Sequence, residues 1–171
     1  MNKFLTLTAE QRRAVFERVG VNVGLPMQAV EKDFWVTVVL QTIFSLPVAQ
    51  HLIFKGGTSL SKAWGLINRF SEDIDLSYTA ESGMPGESRK KQLKNNIVST
   101  MEEFGFAINN LETTRSRRNY NCYRASYPSV YEQNGILKPE LVIETYVAML
   151  PFPTTKRMVD NYIYRFLSKI N

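Results

Sequence analysis

The sequence predicts an α/β fold in a single domain, on three observations. Apolar residues recur at helical spacing through residues 8–46 and again through 88–104. Three short apolar runs, residues 51–54, 72–78 and 140–150, have the length and composition of strands. Between the first two stands Lys55-Gly56-Gly57-Thr58-Ser59-Leu60-Ser61-Lys62, a glycine turn opening a short helix over 58–64, so that strand, turn, helix and strand follow in immediate succession.

Each element has its own justification. Thr8 with Gln11 three residues on forms a capping box ahead of Ala14, Val15, Val19 and Val23, and Gly24 ends that helix. Pro26 suits the first turn of a second helix over 27–46, where Val30, Phe34, Val38 and Thr42 form one row and Trp35, Val39 and Ile43 lie beside it. This helix is expected to be largely core. Its charges Glu31, Lys32 and Asp33 read most simply as a solvated first turn. The alternative is that Lys32 or Asp33 reaches a ligand site.

The run 79–86 is a loop of Glu, Ser, Gly, Met and Pro. Ser88-Arg89-Lys90-Lys91-Gln92-Leu93-Lys94 then opens a helix that runs to Gly105 with a cluster of four basic residues. Residues 106–112 and 121–127 read as strands of a hairpin whose tip carries Arg115, Arg117 and Arg118, with Tyr120, Tyr123 and Tyr127 nearby. These cations and rings either bind RNA or are a solvated tip over packed tyrosines. In the run 140–150, alternation puts Glu140, Val142, Glu144 and Tyr146 on one face and Leu141, Ile143, Thr145 and Val147 on the other. Glu144 among such neighbours requires a partner, for which a metal or a cation would serve. Met158, Tyr162, Phe166 and Ile170 mark a short amphipathic helix in the tail.

Composition sets the outer limits. A chain of 171 residues, 44% hydrophobic and 22% charged, is globular and long enough to bury a real core. The net charge of +5 fits an anionic partner such as nucleotide or RNA. One cysteine, Cys122, and one histidine, His51, exclude an internal disulfide and a Cys/His metal site; both are expected to serve structure, Cys122 by packing. Neither a signal-peptide core nor an apolar run of about 18 residues is present, which points to a cytoplasmic protein without membrane spans.

The chemistry concentrates in residues 54–76. Gly56 and Gly57 permit positive φ and close approach to a ligand, while Thr58 or Ser59 can cap a helix whose free N–H groups favour phosphate. Asp73 and Asp75, two apart on a strand, share a face, with Ile74 and Leu76 turned to the core. Carboxylates so placed can converge on Mg²⁺, which takes oxygen ligands and keeps waters and phosphates in its shell.

Lys55-Gly56-Gly57-Thr58-Ser59-Leu60-Ser61-Lys62 with Arg69-Phe70-Ser71-Glu72-Asp73-Ile74-Asp75-Leu76 resembles the signature of the AbiEii/AbiGii toxin family, nucleotidyltransferase-like toxins of abortive-infection and type IV toxin–antitoxin systems. Glu31-Lys32-Asp33-Phe34-Trp35-Val36-Thr37, Tyr127-Pro128-Ser129 and Leu137-Lys138-Pro139-Glu140 extend the likeness over most of the chain. The resemblance implies a nucleotidyltransferase-like fold, a mixed, twisted sheet flanked by helices, divided into N-terminal helices (1–50), a catalytic-type core (51–150) and a tail (151–171). It implies transfer of a nucleoside monophosphate from an NTP to an RNA, such as tRNA, or to a protein, in an antiphage setting with a cognate antitoxin. Asp73 and Asp75 would hold Mg²⁺ or Mn²⁺, Glu144 would be the third carboxylate, and Gly56, Gly57, Thr58, Ser59 and Lys62 would contact the nucleotide. The tail departs from the family, whose members run on into a helical C-terminal region. The chain is accordingly expected to be either truncated or a reduced member. The alternative reading is a non-catalytic module that binds nucleotide, RNA or antitoxin.

Overall fold

The structure is a computed structural model that describes residues 2–67, 70–79, 86–115, 119–132, 137–147 and 153–170. Helix α1 (Asn2–Leu5) precedes α2 (Ala9–Val23), which starts at the anticipated capping box on Thr8 and Gln11 and ends at Gly24 in the left-handed region, φ 69°. Helix α3 (Met27–Ser45) follows and is buried on every side from Ala29 to Leu40. Phe4, Phe16, Phe34 and Trp35 pack as a run of tilted rings with centroids 4.7–6.0 Å apart where α1, α2 and α3 meet.

A 3₁₀ turn, Pro47–His51, leads into β1 (Leu52–Lys55), so His51 ends a turn rather than beginning the strand. Helix α4 (Gly56–Lys62) follows at once, two residues earlier than expected, because Gly56 at φ 73° swings the chain straight out of β1. Thr58 and Ser59 therefore lie inside α4, and neither caps it. Strand β2 (Ile74–Tyr78) is shorter than anticipated and leaves Asp73 just ahead of it. Then come α5 (Glu87–Glu103), β3 (Ala107–Ile108), β4 (Tyr120–Ser126), β5 (Glu140–Val147) and α6 (Tyr162–Ile170).

The anticipated strand over 106–112 shrinks to the two residues of β3. The Asn110 side chain explains it: Nδ2 donates to the Cys122 carbonyl at 2.9 Å and Oδ1 accepts from the Arg124 N–H at 2.8 Å. A side chain thus takes the ladder partners that a continuing strand would have used, and the backbone turns off into the 3₁₀ turn Leu111–Thr113.

Among the described residues the five strands form one mixed sheet in the order β1-β2-β5-β4-β3, with β2 and β5 parallel and the other neighbours antiparallel. Alternation divides it into two faces. Ile74, Leu76, Ile143, Tyr123 and Ala125 point into the core formed with α3 and α5. The opposite face is partly open, and Lys55, Asp75, Glu144, Tyr146, Tyr120 and Arg124 stand on it. Cys122 stands there too, half-buried instead of packed, because Tyr123 takes the core side of β4. Of the three tyrosines near the hairpin, Tyr123 and Tyr127 are core residues and only Tyr120 is accessible.

Candidate active site

Strand register assembles the site. Lys55 pairs with Asp75, Asp75 with Glu144 and Glu144 with Cys122, so a single row crosses four strands on the open face. Residues opposite one another in neighbouring strands lie within about 5.5 Å, which brings Asp75 and Glu144 side by side although they are distant in sequence. Asp73 stands one side-chain repeat below Asp75, at the mouth of β2.

The glycine turn closes onto this row. A methyl group on Gly56 would lie 1.9 Å from Asp75 Oδ2 and 2.6 Å from its carboxyl carbon. Glycine is thus required twice, by the positive φ and by the carboxylate that occupies the space of a side chain. Behind the turn, the buried Thr58 hydroxyl hydrogen-bonds Ser71 Oγ at 2.8 Å and fastens α4 to the segment entering β2. Ser59 is buried as well, and no side chain caps α4.

Burial and neighbouring charge act together on these acids. Burial raises the Asp75 carboxyl above its ordinary pKa, and Glu144 and Asp73 raise it further against the opposing pull of Lys55. Asp73 is raised by burial, then by Glu72 and Glu144, with Lys32 and Arg124 opposing. Negative charge held together in this way favours a cation. Yet among the described residues no three acids, histidines or cysteines form a ready-made cage for a metal ion. The donor set suits an ion such as Mg²⁺, which completes its shell with water and substrate phosphate. Glu144 also accepts a hydrogen bond from the Tyr120 hydroxyl, at 2.7 Å to Oε1. On the open face Glu144 is only half-buried, so it does not need a counter-charge in the way a core acid would.

The expectation that Glu31, Lys32 and Asp33 form a solvated first turn is wrong. Helix α3 begins at Met27, which puts them in its second turn with 1%, 5% and 6% exposure. Each is satisfied by a different segment. Glu31 accepts from Ser129 Oγ at 2.6 Å and from the Val130 N–H at 2.8 Å. Lys32 pairs with Glu72, next to Asp73, and Asp33 pairs with Lys62 at the end of α4. Asp33 Oδ2 also accepts the Tyr162 N–H at 2.9 Å, which docks α6. The Lys62 ammonium is consequently buried against Asp33 behind the glycine turn. The signal in the sequence was three adjacent charges inside an otherwise apolar helix, since charges buried there must be paired.

Arg69, Arg117 and Arg118, together with most of the loop over 79–86, lie outside the described residues. A cleft of about 410 Å³ lies elsewhere, between α1, α3 and the C-terminal segment, lined by Phe4, Phe34, Val159, Ile163 and Leu167. No helix among the described residues is long and apolar enough to cross a membrane.

A mixed sheet flanked by helices, with a glycine turn at its first strand and an acid pair at its second, defines a nucleotidyltransferase-like domain. The family model for the nucleotidyl transferase AbiEii toxin of type IV toxin–antitoxin systems matches residues 38–170, and the chain belongs to that family. No curated protein matched the chain in the comparison.

Proposed function

We propose that the chain transfers a nucleoside monophosphate from an NTP to an RNA or protein acceptor, as the toxin of a pair with a cognate antitoxin in the cytoplasm. The observation that carries this reading is the row Lys55–Asp75–Glu144 lying against the Gly56 turn. In the reaction an acceptor hydroxyl oxygen bonds to the α-phosphorus, the α–β phosphoanhydride bond breaks, and pyrophosphate leaves with that bond's electrons. The acceptor's proton passes to a carboxylate of the row or to water.

Asp73 and Asp75 would hold Mg²⁺ or Mn²⁺, with Glu144 as the third carboxylate. A bound divalent ion supplies charge neutralisation at the phosphates and orients the attacking and leaving oxygens. Gly56, Gly57, Thr58 and Ser59 present the uncapped start of α4 to the phosphates. Lys55, on the row itself, would supply a cation to them. Lys62 enters through its pairing with Asp33, which sets the position of α4. The Tyr120 hydroxyl holds Glu144 in orientation.

The test is label transfer from each α-³²P NTP to total tRNA and to protein in Mg²⁺. Wild type is expected to transfer label, and an Asp73→Asn/Asp75→Asn variant with unaltered circular dichroism is expected to lose it. Equal transfer by both proteins would overturn the reading. No transfer by wild type, with NTP still bound, would favour the non-catalytic module.

A further inference from the structure

The C-terminal segment comes back to the glycine turn from behind. Asn161 caps α6, its Oδ1 accepting the Tyr164 N–H at 2.8 Å, so the Tyr162 N–H falls in the first turn, where the helix itself offers no acceptor. That N–H donates to Asp33 Oδ2 at 2.9 Å, while Oδ1 of the same buried carboxylate takes the Lys62 ammonium. One carboxylate therefore joins the start of α6 to the end of α4. Its charge suits both neighbours, a helix N-terminus on one side and a cation on the other.

Two further contacts fall on the same end of α4. Arg165 Nη2 donates to the Lys62 carbonyl at 3.4 Å, a group at the helix end that has no intrahelical partner, and Arg165 Nε is held by Asp160 Oδ1 at 2.5 Å. The Arg157 guanidinium lies over the Trp64 ring, 3.8 Å from its centroid, just past the helix. With seven residues, α4 is only about 10 Å long, and its other end is Gly56 against the Asp75 carboxylate. A tilt at Lys62 is therefore felt at Gly56.

We propose that the segment 153–170 is a strap that positions the glycine turn. Through the Tyr162 N–H, Arg165 and Arg157 it fixes the far end of α4, and α4 in turn holds Gly56 at the acid row. Asp33, Tyr162, Arg165 and Arg157 are thus positioning residues, acting through α4 rather than on the row. Thr58, bonded to Ser71, anchors the middle of the helix, so the strap governs its tilt. The catalytic consequence rests on the transferase reading, in which a shift of about 1 Å at a reacting group costs on the order of 10²-fold in rate.

The experiment compares Tyr162→Pro, which removes the N–H along with the ring, with Tyr162→Ala, which removes the ring alone. Proline suits the first turn of a helix, so α6 itself is preserved. Hydrogen exchange read by mass spectrometry should be roughly 10- to 150-fold faster across Gly56–Lys62 in Tyr162→Pro than in Tyr162→Ala, the range for losing one hydrogen bond to a charged group. Exchange in β4 and β5 should be the same in both. Arg165→Met, which strips the Lys62 carbonyl of its donor and leaves the α6 backbone alone, should also speed exchange in α4, and decides the matter where the proline variant does not fold. In α-³²P label transfer, Tyr162→Pro should lower kcat about 10²-fold relative to Tyr162→Ala. Exchange in α4 that neither Tyr162→Pro nor Arg165→Met changes, acceleration spread evenly over the sheet, or a freed α4 with kcat at the level of Tyr162→Ala would each overturn the strap. Selective release of α4 in a protein whose wild type transfers no label would leave the strap standing and remove the transferase reading.

Discussion

Gly56 is the residue at which backbone geometry and site chemistry coincide. Replacing it with alanine forces a side chain into the left-handed region, which costs about 1–2 kcal/mol, and drives a methyl group into the Asp75 carboxylate. Gly24 supplies the control, since its φ of 69° carries the same backbone cost with no atom within 4 Å of an added methyl. Gly24→Ala should lower unfolding free energy in urea by about 1–2 kcal/mol. Gly56→Ala should lower it further and abolish nucleotide transfer; equal losses at the two sites would show that Asp75 simply moves aside. The double requirement at Gly56 was only half legible in the sequence. Gly-Gly announced a turn, but only strand register reveals which carboxylate stands beneath it.

At the scale of elements, α3 acts as a post to which the site's parts are fastened. Glu31, Lys32 and Asp33 hold, in turn, the 129–130 segment, the segment entering β2, and α4 with α6. Asp33→Ala would leave the Lys62 ammonium buried without its counter-charge, a change that costs about 3–5 kcal/mol. The double variant Asp33→Ala/Lys62→Met removes the orphaned charge and should recover a large part of that loss. Urea titration of the two single variants and the double variant checks this, and additive losses would refute the pairing as an energetic unit. Helices α2, α3, α5 and α6, strands β2 and β5 and the faces of β5 were readable because periodicity reports burial directly, whereas the four-residue α1 is too short to show any. The latches were misread because their partners lie in other elements, and local sequence records only that charges occur in an apolar helix. The β3 strand failed for a related reason, a single Asn110 side chain replacing backbone partners on β4.

For the whole molecule, the cluster of acids opposes the fold that displays it. The Asp73 and Asp75 carboxyls are raised above their unfolded values by burial and by neighbouring acids, so the folded state holds these protons more tightly than the unfolded state. Their contribution is therefore neutral below the ordinary carboxylate range. It becomes increasingly unfavourable as the pH rises from the ordinary carboxylate range through the raised values, and is complete above them. Asp75→Asn should raise the melting temperature at pH 7 and have little effect near pH 3. Added Mg²⁺ should stabilise wild type and do less for the variant. A variant that melts lower than wild type at pH 7 without metal would contradict this balance.

The parallel pairing of β2 with β5 carries a consequence for the order in which the protein is made. The glycine turn and the Asp pair are encoded close together, from Gly56 to Asp75, but the neighbour that completes their row comes only after the whole of residues 79–139. A chain released from the ribosome before Glu144 has a glycine turn and two acids, with a vacant strand edge where β5 belongs. The complete acid row is therefore reserved for chains synthesised beyond Glu144.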